Sequence, residues 1–290
     1  MELRVLNYFL MVARESNITK AAALLHVTQP TLSRQLQQLE DELGVKLFER
    51  SNHRIILTED GMLLQRRAQE IVSLADKTRH EFSRGDEQLS GDIAIGSGEL
   101  NSFTHLSGLL SSFRLHHPAV RFDIHSGDAD DIRERIEKGL LDLGLLLEPV
   151  DIGKYEFLRL PAKEVWGILV HNDSDLAKLK TIAPQDLVGQ PLFIPNRAAL
   201  QSPISNWFGG LYDSVEIAGG YNLIYNIAIM VQRKMGVAFC LKLDTVYENL
   251  SFVPLFPQTQ STSLLVWKKS LMQPRATSAL LDHLRNAFKA

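Results

Sequence analysis

The sequence predicts an α/β protein of two domains, in which a small helical N-terminal domain precedes a larger domain of two α/β lobes. Three observations support this prediction. The chain has 290 residues, which is long enough for two domains. Residues 3–82 show helical periodicity almost throughout, whereas short strand-like runs alternate with helical stretches after Gly91. The polar, glycine-bearing segment 83–91 separates the two patterns and is the predicted hinge.

The composition excludes several classes of protein. With 45% hydrophobic and 22% charged residues, the chain is neither disordered nor fibrous. A net charge of −3 gives no general attraction to nucleic acid or to anionic membranes, so nucleic-acid binding would require a local surface. Cys240 is the single cysteine, which excludes an internal disulfide and fits a reducing compartment. Because neither a secretory signal nor a spanning apolar run is present, we expect a cytoplasmic protein with no membrane partner, metal or cofactor.

Residues 18–37 predict two helices joined by a tight turn. Thr19 is expected to cap the first helix. The small side chains of Ala21–Ala23 allow another helix to approach closely, and Leu24-Leu25 are expected to supply the buried side. His26-Val27 form the predicted turn.

The second helix is expected to begin after Thr28 and to end at Gly44. Leucines recur on it at steps of four, three and four residues, which places on one buried stripe Leu32, Leu36, Leu39 and Leu43. Its other face is polar at the N-terminal end, as in a helix that enters the major groove of DNA. An amide suits adenine and a guanidinium suits guanine, so Gln29 and Arg34 are the candidates for base edges. The candidates for phosphate contacts are the hydroxyls of Thr28, Thr31 and Ser33.

A basic hairpin is predicted after the second helix. Arg50 and Arg54 flank a Ser-Asn-His turn between strand-like runs, an arrangement typical of a wing that reaches the phosphate backbone or minor groove. The alternative is an ordinary helical hairpin within a core, which is the commoner structure. That alternative does not account for the joint occurrence of the alanine-rich helix, the Thr-Gln-Pro-Thr start and the basic hairpin.

Residues 59–90 predict a linker helix and hinge between the two domains. Thr58 is a suitable N-cap, and acidic residues follow in the first turn, where they favour the helix dipole. A heptad seam for self-association is predicted at Leu64, Ala68, Ile71, Ala75, Thr78 and Phe82. Packing against its own domain is the alternative, but a helix that projects between domains has little of its own domain to pack against. We therefore expect a dimer.

The C-terminal domain, predicted over residues 91–290, alternates strands and helices as a parallel sheet with crossover helices requires. Lobe I is expected at about 91–161 and 268–290, and lobe II at about 162–267. Such a module binds small ligands in the crevice at the carboxyl ends of its strands. A helix beginning at Asn101 or Ser102, together with Ser97, would form an anion site there. A plain turn is an equal alternative, and the Glu99 carboxylate would repel an anion.

Residues 1–65 resemble the winged helix-turn-helix of the LysR-type transcriptional regulators. The resemblance is carried by the run TQPTLSRQLQQLEDELGVKLFER followed by LTEDG. It places Gln29, Pro30, Thr31, Ser33 and Arg34 on the recognition helix and Arg50, Arg54 and Thr58 on the wing. It implies a winged helix-turn-helix domain at 1–58 and a sequence-specific regulator of transcription that binds double-stranded DNA as a homodimer or homotetramer.

The stretches HHPAVRFDIHSGD and EKGLLDLGLL resemble the family's effector-binding domain, which is similar to periplasmic solute-binding proteins. This resemblance implies control by a small-molecule effector bound between the lobes. By position, the implied cleft residues are Ser97, Gly98, Glu99, His125, Ser126, Pro195, Asn196 and Asn222.

Three other classes of protein were weighed. The sequence has no nucleophile elbow, no metalloprotease motif, no phosphate-binding loop and no dinucleotide fingerprint, so catalysis is not expected. A solute-binding protein would leave the first 90 residues without a role. An architectural DNA-binding protein would have no use for the α/β domain.

Overall fold

The computed structural model describes residues 1–51, 54–82, 89–269 and 273–288. Within these ranges the side chains of 50, 51, 54, 77 and 80–82 are not described. The chain forms two compact units, residues 1–83 and 84–290. Each unit has its own apolar core.

The N-terminal unit begins with three packed helices: α1 at Leu3–Glu15, α2 at Ile18–Leu24 and α3 at Gln29–Leu43. Asn17, and not Thr19, caps α2, because the Asn17 side chain accepts a hydrogen bond from the Lys20 backbone N–H at 3.0 Å. The predicted close packing of small side chains is confirmed for Ala21 and Ala22, which are buried, but Ala23 is exposed. Leu24 was expected to be buried and is 48% exposed.

Helix α3 has the predicted ends and most of the predicted buried stripe. Thr28 is the N-cap, and Gly44 ends the helix in the left-handed region at φ 71°. The first three leucines of the stripe are buried against α1, but Leu43 is 39% exposed. The stripe ends one turn early because Glu40 takes the buried position in the last turn of the helix.

A two-stranded antiparallel hairpin and a long helix complete the unit. Strand β1 is Phe48–Ser51, strand β2 is Arg54–Leu57, and α4 is Glu59–Phe82. The Ile55 N–H donates to the Ser16 carbonyl at 3.1 Å, which fixes the hairpin to the end of α1. The hairpin tip at residues 52–53 lies outside the described residues.

Lobe I of the C-terminal unit is a sheet covered by helices. Its parallel strands are β3 at Gly91–Ser97, β4 at Val120–Ser126 and β5 at Leu143–Leu147. The helices α5 at Ser102–His116 and α6 at Ala129–Glu137 connect these strands, as the alternating pattern predicts. The final helix, α9 at Arg275–Ala287, packs its apolar face on the same lobe.

Two long strands cross between the lobes: β6 at Tyr155–His171 and β11 at Gln260–Lys268. The first part of β6 pairs with β11, and its last part pairs with strands of lobe II. The sequence pattern predicts a strand only at Val165–Val170, the second half of β6, because Pro161 and alternating charges interrupt the first half. Residues 263–266 of β11 also pair with β5 of lobe I.

Lobe II repeats the α/β pattern with strands β7 at Leu192–Pro195, β8 at Ile217–Tyr221, β9 at Val237–Leu241 and β10 at Leu250–Pro254. Its helices are α7 at Ala198–Phe208 and α8 at Ile224–Gln232. The sequence pattern predicts a strand at Val215–Ile217, whereas β8 begins at Ile217, and it predicts no strand over the residues of β10. Across the domain the strand order is β4-β3-β5-β11-β6-β9-β7-β8, and β10 pairs with β6.

Candidate functional site

The N-terminal half of α3 presents a polar, solvent-exposed face. The Thr28 hydroxyl accepts from the Thr31 N–H at 3.4 Å, and the two threonine hydroxyls lie 2.8 Å apart. The Gln29 amide donates to the Ser33 hydroxyl at 2.9 Å, which holds both side chains on the helix surface. The exposed guanidinium of Arg34 has no partner among the described residues. This face therefore offers amide, hydroxyl and guanidinium donors without first breaking a tertiary contact.

The predicted wing forms, and the structure gives its residues different roles. Arg50 pairs with Ile55 and Arg54 pairs with Ser51 in the hairpin register, but the two arginine side chains lie outside the described atoms. The prediction that Thr58 contacts DNA is corrected. Its hydroxyl donates to the Lys46 carbonyl at 2.6 Å and accepts from the Gly61 N–H at 2.9 Å. Because its one donor hydrogen is committed, Thr58 caps α4 and is not available to a phosphate.

A buried carboxylate, which the sequence analysis missed, joins the recognition helix to the wing. Glu40 on α3 accepts from the Leu47 N–H at 2.8 Å and from the Phe48 N–H at 3.4 Å. Its other oxygen accepts from the Lys46 ammonium at 2.8 Å. The signal in the sequence is an acidic residue one helical turn after Leu36, on the buried side of the helix. Glu40 thus fixes the start of β1 relative to α3.

The predicted seam on α4 divides into two groups. Leu64 and Ala68 are buried in the core of their own unit. The seam prediction is therefore wrong for these two residues, and the alternative, packing against their own domain, holds. Ile71 is exposed and Ala75 is half-buried, and the Phe82 side chain lies outside the described atoms. Among the side chains of α4 that the structure describes, the large exposed apolar ones are Met62, Leu63, Ile71 and Leu74.

A cavity of about 100 Å³ lies between the two lobes of the C-terminal unit, at the carboxyl ends of the strands. Four of the predicted cleft residues line it: Gly98, Glu99, Pro195 and Asn222. The wall also contains residues that the sequence analysis missed, among them Trp166, Arg197 and Tyr221. Trp166 lies on crossing strand β6, and Arg197 precedes α7.

The other four predicted residues do not line this cavity. The Ser97 side chain is buried and donates to the Gly98 carbonyl at 2.8 Å. His125 bonds to the Asp131 carboxylate at 2.6 Å. Ser126 and Asn196 are exposed outside the cavity wall. A residue's position directly after a strand therefore predicts that it lies at this edge of the sheet, but it does not predict whether its side chain lines the cavity.

Two sets of hydrogen bonds connect the lobes beside the cavity. The Ile224 N–H, at the start of α8 in lobe II, donates to the Glu99 carboxylate of lobe I. The Arg197 guanidinium of lobe II donates to the Leu147 carbonyl at 2.7 Å and to the Pro149 carbonyl, both in lobe I. Each set must break if the lobes separate, so both residues can couple occupancy of the cavity to lobe closure.

The anion site expected at the start of α5 is corrected. The N–H groups of Asn101 and Ser102 donate to the Glu164 carboxylate at 3.0 Å and 2.9 Å. Glu164 is fully buried on β6 and also accepts from the Ser263 hydroxyl at 3.0 Å. The donors that an anion would use are therefore satisfied by the chain itself. Cys240 lines the cavity, and burial raises the pKa of its thiol to about 12, so the thiol is neutral.

Comparison with known proteins agrees with this geometry. The sequence matches the family described as "LysR substrate binding domain" over residues 86–289. It also matches "Bacterial regulatory helix-turn-helix protein, lysR family" over residues 3–62. No described helix is both long and apolar enough to cross a membrane.

Individual relatives are regulators of transcription, not enzymes. The transcriptional activator IlvY of Salmonella typhimurium is 36% identical over 72% of this chain and 71% of its own length. The transcriptional regulator BsdA of Bacillus subtilis is 33% identical over 97% of this chain and 99% of its own. Full-length CbnR in complex with its target DNA has the same fold, with a TM-score of 0.75 at 22% identity over 99% of this chain and all of that one. The chain belongs to the LysR family of transcriptional regulators, with a helix-turn-helix DNA-binding domain and an effector-binding domain.

Proposed function

We propose that the exposed start of α3 reads base edges in the major groove while the wing contacts the DNA backbone. Gln29 and Arg34 take the base edges, and the Thr28, Thr31 and Ser33 hydroxyls take the phosphates. Arg50 and Arg54 extend the phosphate contacts on the wing. The observation that carries this proposal is the exposed guanidinium of Arg34, which lies on the helix face opposite the buried leucines and has no partner among the described residues.

A pair of charge-matched variants tests the recognition role. Arg34→Ala is expected to cost about 1–3 kcal/mol on the preferred duplex and to relax discrimination at one base pair. Arg233→Ala removes the same charge from an exposed arginine of lobe II whose side chain has no described partner, and it is expected to bind like the parent. The measurement is fluorescence anisotropy on preferred and altered duplexes at two salt concentrations. Equal discrimination by both variants would contradict the role of Arg34.

We propose that the exposed apolar side chains of α4 pair with a second copy of the chain. Leu63, Ile71 and Leu74 lie within roughly 80° of one another around α4 and form one exposed apolar face, and this helix of 24 residues spans roughly 36 Å. Coiled-coil pairing of such a face gives a homodimer, from which a homotetramer can assemble, and it presents two recognition helices to a two-fold-related site.

Sedimentation velocity tests the pairing. Ile71→Lys is expected to shift the protein toward the monomer, because it places a charge in the apolar face. Val246→Lys changes an exposed valine outside α4 and is expected to leave the oligomer intact. An unchanged oligomer in Ile71→Lys would contradict this surface.

We propose that a small-molecule effector in the cavity controls DNA binding by changing lobe closure. Support comes from Glu99 and Arg197, which line the cavity and also carry the hydrogen bonds between the lobes. A ligand that touches either group competes with or reinforces those bonds, and the lobes respond. A regulator of this kind acts in the cytoplasm, where its DNA is.

A further inference from the structure

A second cavity, of about 540 Å³, lies beside the two strands that cross between the lobes. Its wall is formed by the chain after β5 in lobe I, by both crossing strands, and by α7 and β9 of lobe II. We call it the crossing-strand pocket, and its wall includes Glu148, Val150, Trp166, Pro203, Trp207 and Ser261. Its volume falls within the range of roughly 300–1,000 Å³ that is typical of small-molecule sites.

The crossing-strand pocket is distinct from the cavity proposed for the effector. Of the described residues, the two walls share Trp166 and Leu200, whose side chains therefore lie between the two cavities. The charged residues of the effector cavity, among them Glu99 and Arg197, do not line the second pocket. Substitutions that touch one wall alone can therefore distinguish a ligand in one cavity from a ligand in the other.

Three adjoining aromatic rings form one side of the crossing-strand pocket. The ring centroids of Trp166 and Phe239 lie 5.4 Å apart, and those of Phe239 and Trp207 lie 5.7 Å apart. The Trp166 indole N–H donates to the Ser261 hydroxyl at 2.9 Å. The Trp207 indole N–H donates to the Pro257 carbonyl at 3.2 Å, so neither indole has a donor left. This side therefore offers ring surface alone, on which an aromatic ligand can pack offset or edge-to-face.

A neutral polar strip at residues 259–261 adjoins the aromatic side. The Ser261 hydroxyl accepts from Trp166 and keeps its own hydrogen, which has no acceptor among the described residues. The side chains of Thr259 and Gln260 also line the pocket and have no described partner. Hydroxyl and amide groups both donate and accept hydrogen bonds, so this strip suits a ligand that carries an amide or a hydroxyl group.

The crossing-strand pocket carries almost no net charge. Glu148 is the one ionisable side chain among the described residues of its wall. Its carboxylate forms an ion pair with the Arg159 guanidinium at 2.8 Å, which balances the charge. A charged ligand would lose hydration here without meeting an unbalanced charge of opposite sign, whereas a neutral ligand loses little.

We propose that the crossing-strand pocket is a second small-molecule site, which takes a neutral aromatic ligand that carries an amide or a hydroxyl group. The ring packs on the three aromatic side chains, and the polar group bonds to the strip at residues 259–261. A ligand bound there touches both lobes and the strands between them, so it favours the lobe arrangement seen in this structure.

Benzamide and three matched compounds test the proposal on the full chain by calorimetry. Benzoate and benzamidine keep the ring and a planar substituent of the same shape but carry a negative and a positive charge, and cyclohexanecarboxamide keeps the amide without the aromatic ring. We expect benzamide to bind in the millimolar range and each of the others to bind at least about threefold more weakly. No binding of benzamide at about 10 mM, or tighter binding of any of the other three at this pocket, would overturn the proposal.

Substitutions at Pro203 assign the binding to this pocket. Pro203 is exposed within α7 and lines the crossing-strand pocket but not the effector cavity. Pro203→Trp adds bulk at the wall, and it restores a backbone N–H to the helix interior, so we expect the fold to be kept. Benzamide should bind this variant at least about tenfold more weakly. Pro203→Ala makes the same backbone change without the bulk and should bind within about twofold of the parent.

A second variant removes a ring from the aromatic side. Trp207→Ala should weaken benzamide binding about fivefold, because the ligand loses one of its three ring contacts. The melting temperature of each variant reports whether the fold is kept. Parental affinity for benzamide in both Pro203→Trp and Trp207→Ala would overturn the proposal.

Gly98→Leu separates this inference from the effector-cleft proposal. A Cβ at Gly98 meets nothing closer than 3.6 Å, and Gly98 lines the effector cavity but not the crossing-strand pocket. We expect Gly98→Leu to bind benzamide like the parent, and the four compounds are ranked in this variant so that the effector cavity does not contribute. Loss of benzamide binding in Gly98→Leu would place the ligand in the effector cavity, which would overturn this inference and leave the effector-cleft proposal standing.

Discussion

Replacing Glu40 by alanine should loosen the wing from the recognition helix. The Leu47 N–H is buried and would lose its only acceptor, at a cost of about 1–3 kcal/mol. The Phe48 N–H bond is long at 3.4 Å, and the Lys46 side chain is largely exposed, so together these two contacts contribute about 1 kcal/mol or less. The expected loss in free energy of unfolding is therefore about 1–4 kcal/mol for the N-terminal unit.

Hydrogen exchange measures this effect where it originates. We expect amide exchange in the segment around Leu47 to accelerate in Glu40→Ala, and affinity for all duplexes to fall because the wing is no longer held in place. Glu40→Gln, which keeps one acceptor oxygen for Leu47, should retain most of the protection. If Glu40→Ala exchanged and bound DNA like the parent, the carboxylate would not be what orders the wing.

Three further predictions concern stability. Leu36→Ala should cost about 2–5 kcal/mol in the free energy of unfolding, whereas Leu43→Ala, at a more exposed site, should cost about 0.5 kcal/mol. Equal losses in chemical denaturation would contradict the observed end of the buried stripe. Glu164→Ala leaves three donors unpaired, of which the Ser102 N–H and the Ser263 hydroxyl are buried, so the C-terminal unit should lose about 3 kcal/mol or more. A melting temperature like that of the parent would refute this. Burial pushes the pKa of Asp131 up, but hydrogen bonds from His125 and Arg135 lower it overall. Because the folded pKa of Asp131 is lowered, the pair with His125 stabilises the folded state above the ordinary pKa of 3.8, and this stability is lost as the pH falls from 3.8 through the folded pKa. The stability difference between the parent and His125→Ala should therefore shrink in acid. A constant difference would count against the pair.

The sequence predicted those features of the fold that depend on residues close together in the chain. The cap at Thr28, the end at Gly44 and the alternation of strands and helices in lobe I all follow from nearest-neighbour chemistry. Leu64 and Ala68 were assigned to a seam between chains because periodicity shows that a face is apolar but not what covers it. In the folded unit the neighbouring helix α1 covers both.

The cleft depended on contacts between residues far apart in the chain. Glu99 bonds to Ile224 across 125 residues, and Arg197 reaches Leu147 across 50 residues. No local pattern contains such pairs. Glu99 was predicted to oppose an anion at the start of α5, but the carboxylate at that helix start is Glu164, and Glu99 accepts at the start of α8 instead. Arg197 was missed because a single arginine before a helix has no distinctive pattern.

The measurement that tests the central claim most directly is selection of bound sequences from a random duplex pool by the purified protein, with the Arg34→Ala variant selected in parallel. If α3 reads base edges in a dimer, the parent should enrich an interrupted inverted repeat. The Arg34→Ala variant should lose its preference at one symmetric pair of positions in that repeat. Absence of enrichment by the parent, or the same enriched repeat from both proteins, would contradict it.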